Sequence, residues 1–432
     1  MMAIASSTDT ALSALDKGAP SLVRPIPIAD VAAQGWNLLA EDLALPAAVI
    51  VESALRNNSR WMKSFVESTD AQIAPHGKTT MAPALFDLQL ADGAWGITVS
   101  TLHQLRVARL AGYSRIFFAN QLIGKAAISY LVSETGQDPS FDVIFLIDSL
   151  DNLRAIEKAA ADAGLSRPLT VLAELGYEGG RTGCRTKEEA LVIAEAIQQS
   201  EFIDLVGIEG FEGLLKAATN EQTAILVSDF LDRMVDLAQE CERLGFFASE
   251  EIILSAGGSS FYDIVARKLR GAKLSCPPTV LLRSGCYITH DSMMYARAVA
   301  ALRERDFNVT LPQGDLRPAL EVWAYVQSRP EGEKLIAALG KRDVSHDELP
   351  VAIKWFRPGG QMDAPLPVPE GHTVSKLNDQ HAHISAPADS PLRVGDLVCF
   401  GISHPCLTFD KWRVLHVVDD DYNVVSAIRT YF

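Results

Sequence analysis

The stretch Ile73-Ala74-Pro75-His76-Gly77-Lys78-Thr79 joins a short apolar run to a lysine through a turn. The apolar residues predict a buried strand, and Pro75-His76-Gly77 predicts a turn at its end. A helix is expected to begin at Pro83, because proline suits the first helical position. A barrel places its active site at the carboxyl ends of its strands. Lys78 is therefore a candidate nucleophile that forms a Schiff base with a carbonyl group, and a solvated loop lysine is the alternative.

Regular alternation of strand and helix patterns follows this stretch. Eight apolar, β-rich runs occur at residues 71–76, 94–99, 115–119, 142–148, 169–175, 203–208, 251–255 and 279–283. Helical patterns separate them, most clearly at residues 222–244, where Gly245 predicts the C-terminal cap. Eight strands that alternate with helices within about 250 residues predict a (β/α)₈ barrel. A doubly wound open sheet is the alternative.

The pattern changes after about residue 310, where extended segments replace helices. These segments lie at residues 319–327, 351–356, 372–377, 393–400 and 412–431. They predict a second, all-β domain. We expect three parts: an N-terminal tail with a segment that packs on the β domain at residues 1–44, the barrel at 45–305, and the C-terminal β domain at 306–432.

Composition and charge narrow the class of partners. The 432 residues carry a formal net charge of -15, which argues against nucleic acid, since binding to phosphate backbones needs a basic face. No apolar run approaches the ~20 residues of a membrane-spanning helix, and residues 1–20 lack the basic start and apolar core of a signal peptide. The six cysteines show no regular spacing. We therefore expect a cytoplasmic protein with a small-molecule ligand and no membrane or nucleic-acid partner.

The loops after the predicted strands carry the candidate binding residues. Gly257, Gly258 and Ser259 follow the seventh run, where backbone N–H groups and a helix N-terminus can hold phosphate. A flexible loop that only caps the helix is the alternative. Arg181, in the loop after the fifth run, is a candidate contact for an anionic group or a surface arginine. With Lys78, these residues suggest pyridoxal phosphate, although a Schiff-base aldolase of sugar phosphates would use the same features.

The segment Ser403-His404-Pro405-Cys406 lies in a region that is predicted to be extended. Alternate residues of a strand point to the same side, so His404 and Cys406 could bind one ion. One nitrogen and one thiolate suit zinc and leave positions open for substrate and water. A buried cysteine beside a capping histidine is the alternative. His381 and His383 form a second pair of this spacing, but no thiol lies near them in the sequence.

Taken together, these motifs resemble one enzyme class. The motifs are Pro75-His76-Gly77-Lys78-Thr79, Phe118-Ala119-Asn120-Gln121, Gly180-Arg181-Thr182-Gly183, residues 255–259, and Arg283-Ser284-Gly285-Cys286-Tyr287. Over roughly residues 45–432 the chain resembles the fold-type III pyridoxal phosphate enzymes. Within them it looks like the eukaryotic-type D-serine dehydratase and D-threonine aldolase group. The resemblance implies an alanine-racemase-like barrel, a C-terminal β domain and usually a homodimer.

The resemblance also assigns roles to individual residues. Seven of them would contact the cofactor: Lys78 through a Schiff base, Arg181 near the ring oxygen, Gly257, Gly258 and Ser259 at the phosphate, and Gly285 and Tyr287 along its length. In the dehydratases a His-x-Cys pair binds zinc, and His404 and Cys406 match it. The aldolases of the group typically have His-x-Asp instead. Cys406 therefore favours the dehydratases.

The reaction expected from the resemblance is a β-elimination that depends on pyridoxal phosphate and zinc. Its substrate would be a D-hydroxy amino acid, and D-serine would give pyruvate and ammonia. The alternatives are retro-aldol cleavage of D-threonine or another D-β-hydroxy amino acid, and dehydration of 3-hydroxy-D-aspartate. A racemase would need a second base, which the sequence does not reveal. A non-catalytic pyridoxal phosphate carrier would need neither the β domain nor the His-Pro-Cys segment.

Overall fold

The computed structural model describes residues 11–305 and 311–432 of the chain. The first ten residues of the predicted tail and the predicted domain boundary at residue 306 lie outside these ranges. Within them, no helix combines the length and the apolar character that crossing a membrane requires.

The N-terminal segment packs on the C-terminal sheet. Its strands β1 (Ala11–Leu12) and β2 (Ile26–Pro27) pair antiparallel. The buried side chains of Leu12 and Leu38 share an apolar core with Trp323 of the β domain. The next strand, β3 (Ala47–Val51), ends this part of the chain.

Eight parallel strands form the barrel. They are β4 (Gln72–Ile73), β5 (Ile97–Val99), β6 (Arg115–Gln121), β7 (Asp142–Ile147), β8 (Leu169–Leu175), β9 (Ile203–Gly210), β10 (Ile253–Ser255) and β11 (Thr279–Leu282). Strands that are consecutive in the chain are neighbours in the sheet, and β11 pairs with β4. The hydrogen bond from Thr98 N–H to the carbonyl of Pro75, at 2.9 Å, joins β5 to the end of β4. The predicted (β/α)₈ barrel is therefore confirmed, and the open sheet is excluded.

Nine α-helices in the described residues connect or follow these strands. They are α1 (Glu52–Thr69), α2 (Pro83–Ala91), α3 (Leu102–Leu110), α4 (Lys125–Gln137), α5 (Leu150–Asp162), α6 (Lys187–Gln198), α7 (Asn220–Leu244), α8 (Tyr262–Arg270) and α9 (Met294–Glu304). Their ends follow the local sequence. Gly245, with φ of 72°, caps α7 as predicted, and Thr186 and Glu189 form a capping box at α6.

The interior of the barrel is filled below its carboxyl end. Inward-facing side chains such as Phe117, Leu172 and Leu281 form a separate buried cluster there. Such a core is expected for a barrel of eight strands. It closes the barrel, so a ligand can enter only at the end where the strands stop.

The C-terminal domain is built from strands, as predicted. They are β12 (Leu320–Glu331), β13 (Lys334–Ala337), β14 (Val351–Phe356), β15 (Leu366–Pro367), β16 (Thr373–Leu377), β17 (Ala382–Ser385), β18 (Leu397–Gly401), β19 (Val414–Val418) and β20 (Val424–Arg429). Seven of them form one path in the order β15-β14-β18-β12-β13-β17-β16. One short helix, α10 (Cys406–Phe409), follows β18.

The strand β3 corrects the predicted start of the barrel. It pairs antiparallel with β12 and parallel with β19, so residues 47–51 belong to the C-terminal sheet and not to the barrel. The sequence could not reveal this, because a fully apolar strand fits either sheet and its partners lie far away in the chain. The barrel part of the chain therefore begins with α1.

Gly207 lies in β9 at a position that has no room for a side chain. A Cβ atom there would overlap the carbonyl oxygen of Ile253 in β10. Since that oxygen belongs to the backbone, it cannot move without disturbing the pairing of the two strands. We expect Gly207→Ala to lower the free energy of unfolding by about 2–3 kcal/mol, measured by urea denaturation. The control is Gly332→Ala, because nothing lies within 4 Å of a Cβ there. Equal stability of the two variants would contradict the close approach.

Candidate active site

A cavity of about 540 Å³ lies at the carboxyl ends of the barrel strands. Eight of the nine predicted site residues line it: Lys78, Arg181, Gly257, Gly258, Ser259, Gly285, His404 and Cys406. The first six come from the barrel, and the last two come from the loop after β18. The volume falls in the range of roughly 300–1,000 Å³ that is typical of small-molecule sites.

Three other predicted positions lie elsewhere. Tyr287 belongs to the 3₁₀ helix Cys286–Ile288, in which successive side chains diverge by about 120°. Its neighbour Cys286 faces the cavity, whereas the buried hydroxyl of Tyr287 accepts a hydrogen bond from Gln89 of α2 at 3.3 Å. This corrects the prediction that Tyr287 lines the cofactor. The second pair, His381 and His383, is also absent from the cavity lining.

Lys78 extends into the cavity from a short 3₁₀ helix that follows β4. Its Nζ has no ion pair or hydrogen bond with any residue in the described ranges. The amine is therefore available to a ligand. Thr79, the next residue, has its Oγ1 atom 3.5 Å from the Sγ atom of Cys406. The lysine and the predicted metal pair thus belong to one site.

The glycine-rich loop after β10 already binds a carboxylate. The N–H groups of Gly257 and Gly258 donate to Glu212 at 2.9 and 3.0 Å. Burial raises the pKa of Glu212, and these two hydrogen bonds act in the opposite direction. This differs from the prediction that Gly257 and Gly258 hold a phosphate through their N–H groups, because both N–H groups already have a partner within the chain. Glu212 lies in the loop after β9, so no local pattern could reveal it.

Unpaired N–H groups remain beside that loop. In the part of the chain that the structure describes, nothing accepts a hydrogen bond from the N–H of Ser259 or Gly285, and both residues line the cavity. A Cβ at Gly285 would lie 2.6 Å from the carbonyl oxygen of His76, so only glycine allows this close approach. Ser284 Oγ donates to the carbonyl of Gly258 at 2.7 Å and joins the two loops. These free donors suit a phosphate group.

Charged side chains in the cavity wall are mostly paired. Arg283 forms an ion pair with Glu209. Glu174 accepts hydrogen bonds from Gln121 and, at 2.6 Å, from Thr182. Burial raises the pKa of Glu174, and it raises the pKa of Glu209 to about 8 although Arg283 opposes the shift. The Oε2 atom of Glu209 and the Nε atom of Arg283 are buried and have no hydrogen-bond partner in the described chain.

Arg181 and His76 complete this wall. The guanidinium of Arg181 lies over the ring of Phe211, 4.1 Å from its centroid. Burial, together with the positive charges of Lys78 and Arg283, holds the pKa of His76 well below its usual value. Its imidazole is therefore neutral, and its Nδ1 atom has no hydrogen-bond partner in the described chain.

Three side chains with metal-binding atoms meet on the other side of the cavity. His404 and Cys406 follow β18, and Cys286 joins them from the turn after β11. Their ligand atoms lie within 4.8 Å of one another, and the two Sγ atoms are 3.6 Å apart. The sequence did not reveal Cys286 as a donor. Its position after a barrel strand could have identified it as a candidate, because the site of a barrel lies at the carboxyl ends of the strands.

The charges in this cluster favour a thiolate. Hydrogen bonds from Cys286 and His404 hold the pKa of Cys406 well below its usual value. In turn, the hydrogen bond to Cys406 raises the pKa of His404 to about 9. The thiolate is the form of cysteine that binds metals.

Asp347 orients the imidazole of His404. Its Oδ2 atom is 2.9 Å from Nδ1, and its Oδ1 atom accepts from Ser403 Oγ at 2.7 Å. Metal-bound imidazoles usually bond to a carboxylate in this way through the second nitrogen, which leaves Nε2 for an ion. The chain here is not extended as predicted. A turn leads into α10 at Cys406, and this turn brings His404 and Cys406 together.

Comparison with known proteins agrees with this geometry. The family model for the alanine racemase N-terminal domain matches residues 50–265, and the model for a putative serine dehydratase domain matches residues 319–418. A D-threonine aldolase of Arthrobacter sp is 24% identical over 381 residues, which are 87% of this chain and 89% of that protein.

Two solved structures have the same fold. The crystal structure of D-threonine aldolase from Filomicrobium marinum superposes with a TM-score of 0.74 at 19% identity, over 92% of this chain and 97% of that chain. A D-threo-3-hydroxyaspartate dehydratase, a cysteine-to-alanine mutant described as metal-free, superposes with a TM-score of 0.67 at 19% identity. That superposition covers 92% of this chain and 99% of the other.

The closed barrel, the lysine after its first strand and the matched domains define the class of fold-type III pyridoxal phosphate enzymes. The match to the putative serine dehydratase domain narrows the assignment to one group within that class. The protein belongs to the group that comprises the D-serine dehydratases and D-threonine aldolases.

The buried carboxyl group of Glu209 predicts a pH-dependent stability. Its pKa is about 8 in the folded protein and about 4.3 in an unfolded chain. Between these values the folded protein keeps a proton that the unfolded chain loses, so the free energy of unfolding falls as pH rises. In Glu209→Gln this decrease should be smaller by on the order of 1 kcal/mol per pH unit.

Urea unfolding of wild type and Glu209→Gln at about pH 5 and about pH 8 measures this difference. Glutamine can still accept the hydrogen bond from Arg283, and the Oε2 atom that it replaces has no partner in the described chain. A stability difference that stays constant with pH would show that Glu209 does not titrate in this window.

Proposed function

We propose that the protein is a lyase that uses pyridoxal phosphate and zinc to eliminate the β-hydroxyl group of a D-amino acid, with D-serine giving pyruvate and ammonia. The observation that carries this proposal is the position of His404 and Cys406 beside Lys78 in one cavity. An amine for the Cα proton and a metal site for an oxygen leaving group are the two parts that a β-elimination needs. The relatives support the substrate class, because an aldolase of D-threonine and a dehydratase of D-threo-3-hydroxyaspartate are among them.

The cavity suits pyridoxal phosphate. Lys78 offers an unpaired amine for the aldehyde carbon, and the N–H groups of Ser259 and Gly285 are free to hold the phosphate. Arg181, which also lines the cavity, would contact the cofactor near its ring oxygen. When bound, the cofactor supplies a ring that accepts electron density from Cα.

Lys78 is the base in this proposal. Its Nζ atom would hold the cofactor before the substrate binds and, once free, would take the proton from Cα. Arg283 and Glu209, which pair with each other, line the same cavity as the lysine. The imidazole of His76 is neutral. It therefore adds no positive charge that would repel a proton on Lys78.

His404 and Cys406 would hold the metal, and a thiolate ligand favours zinc over the oxygen-preferring ions magnesium, calcium and manganese. Bound zinc acts as a Lewis acid toward an oxygen atom of the substrate. A related dehydratase whose cysteine is replaced by alanine is described as metal-free, which agrees with a cysteine ligand. The chain itself orients His404 through Asp347.

Retro-aldol cleavage is the second candidate, because the aldolase of Arthrobacter sp matches 87% of this chain. It would give glycine and an aldehyde. Dehydration of 3-hydroxy-D-aspartate would give a 2-oxo acid and ammonia, as the elimination from D-serine does. Product identity therefore separates cleavage from elimination, and the rate with each substrate separates the two eliminations.

The decisive experiment supplies the purified protein with pyridoxal phosphate and offers D-serine, D-threonine and D-threo-3-hydroxyaspartate in separate assays. We expect pyruvate and ammonia from D-serine. A chelator should abolish this release, and added zinc should restore it. Glycine from D-threonine without pyruvate from D-serine would identify an aldolase instead. Elimination that persists after complete metal removal would contradict the role of His404 and Cys406.

Replacement of the lysine tests its role directly. We expect Lys78→Ala to reduce turnover by at least roughly 10²–10⁴-fold, the range for loss of a general base. It should also lose the absorbance of the lysine–cofactor Schiff base. The control is Lys63→Ala, since Lys63 is exposed on α1, away from the cavity lining. Near-normal turnover of Lys78→Ala would remove this lysine from the mechanism.

A further inference from the structure

We propose that Cys286 is a third protein ligand of the zinc ion, so that the metal is held by two thiolates and one imidazole. This inference rests on the proposed metal role of His404 and Cys406, and it adds a residue from the barrel to them. The ligand atoms of the three residues lie within 4.8 Å of one another. In the described ranges, no other group of three such residues meets this condition.

The separation of the sulfur atoms suits a shared ion. Zinc–sulfur bonds of about 2.3 Å at a tetrahedral angle place two sulfurs about 3.8 Å apart. The Sγ atoms of Cys286 and Cys406 are 3.6 Å apart, so the ion requires little movement of either side chain. A disulfide would need a sulfur–sulfur distance of about 2.05 Å, which this pair does not have.

Backbone contacts hold the two loops that carry these sulfurs in place. Ser292, in the segment after Cys286, donates its N–H to the carbonyl of Ile402 at 3.1 Å. Gly401 ends β18 so close to Ser292 that a Cβ there would collide with its side chain. Thr79 lies between the thiols, with its Oγ1 atom 3.9 Å from Cys286 Sγ and 3.5 Å from Cys406 Sγ. Contacts within the chain therefore hold the two thiols close together.

Simple packing of a buried thiol against a partly buried one explains less of this arrangement. Packing would not require a histidine beside the sulfurs, nor a carboxylate that fixes the ring of that histidine. Asp347 bonds to Nδ1 of His404 at 2.9 Å, as carboxylates do behind zinc-bound imidazoles. The ring of Tyr295 packs in a T-shaped arrangement against the imidazole of His404. These contacts fix the imidazole beside the two thiols, with the three ligand atoms within 4.8 Å of one another.

A third ligand changes what the site can bind. Catalytic zinc typically has three protein ligands and one open position, so a single oxygen atom of a substrate could be accommodated. Two thiolates also select against manganese, magnesium and calcium more strongly than one thiolate does. Because Cys286 belongs to the barrel and Cys406 to the β domain, the ion would connect the two domains.

Counting the sulfur atoms around bound zinc tests the proposal. The holoenzyme, with pyridoxal phosphate and one equivalent of zinc, is kept reduced with a non-thiol reagent and measured by X-ray absorption at the zinc edge. We expect two sulfur neighbours at about 2.3 Å in the wild type and one in Cys286→Ser or Cys286→Ala. The matched control is Cys276→Ser, which removes an exposed cysteine and should keep two sulfur neighbours.

Zinc affinity gives a second measurement, by competition with a chelator. Loss of a ligand should cost more than the roughly 10–100-fold that loss of a residue behind a ligand costs. We therefore expect Cys286→Ser to bind zinc at least about 100-fold more weakly, and Cys276→Ser to bind it as the wild type does. Thermal unfolding of the metal-free variants shows whether each one folds.

The outcomes separate this inference from the proposed function. One sulfur neighbour in zinc-loaded wild type, with affinity unchanged in Cys286→Ser, would overturn the role of Cys286 and leave His404 and Cys406 in place. Wild type that binds no zinc would overturn both proposals. Two sulfur neighbours that persist in Cys286→Ser would also exclude Cys286 as a ligand.

Discussion

The pairing of β3 with β12 and β19 attaches the β domain to the segment that leads into the barrel. Since β3 leads directly into α1, the first helix of the barrel part, the two domains share a continuous segment. Asn58 of α1 extends this connection through hydrogen bonds to the carbonyls of Ile288 and Arg317, at 3.2 and 2.7 Å. Both segments lie next to loops that line the cavity. The position of the His404 loop over the barrel therefore depends on a strand that precedes the barrel.

In the cavity, the N–H groups that have no partner within the described chain are available to an anionic ligand. Glu212 accepts hydrogen bonds from the N–H groups of Gly257 and Gly258, and Glu209 pairs with the guanidinium of Arg283. These carboxylates shape the loop and the wall, but they leave the N–H groups of Ser259 and Gly285 unpaired. Under the proposed function, a phosphate would then be held mainly by backbone dipoles at the end of the barrel strands. This arrangement agrees with pyridoxal phosphate as the ligand, because its phosphate would bind these N–H groups while its ring reaches Lys78.

The sequence predicted the barrel because its signals are local. Each of the eight strands is a short apolar run bounded by polar or glycine-rich residues, and each is followed by a helical pattern. The membership of β3 was not predictable, since it depends on partners at the other end of the chain. The same dependence on distant partners explains which site residues could be predicted and which could not. Lys78 and the His404–Cys406 pair have local patterns, whereas Glu212, Asp347 and the thiol of Cys286 act through contacts between distant loops.

The cluster of donors also links metal binding to the arrangement of the domains. His404 and Cys406 come from the β domain, and Cys286 comes from the barrel. An ion that bound all three would bind only the docked arrangement, so it would stabilise that arrangement by mass action. The amine of Lys78 lies in the barrel beside Thr79, which contacts both thiols. The proposed base and the proposed metal ligands therefore share one cavity through the docking of the two domains, to which the pairing of β3 with the C-terminal sheet contributes.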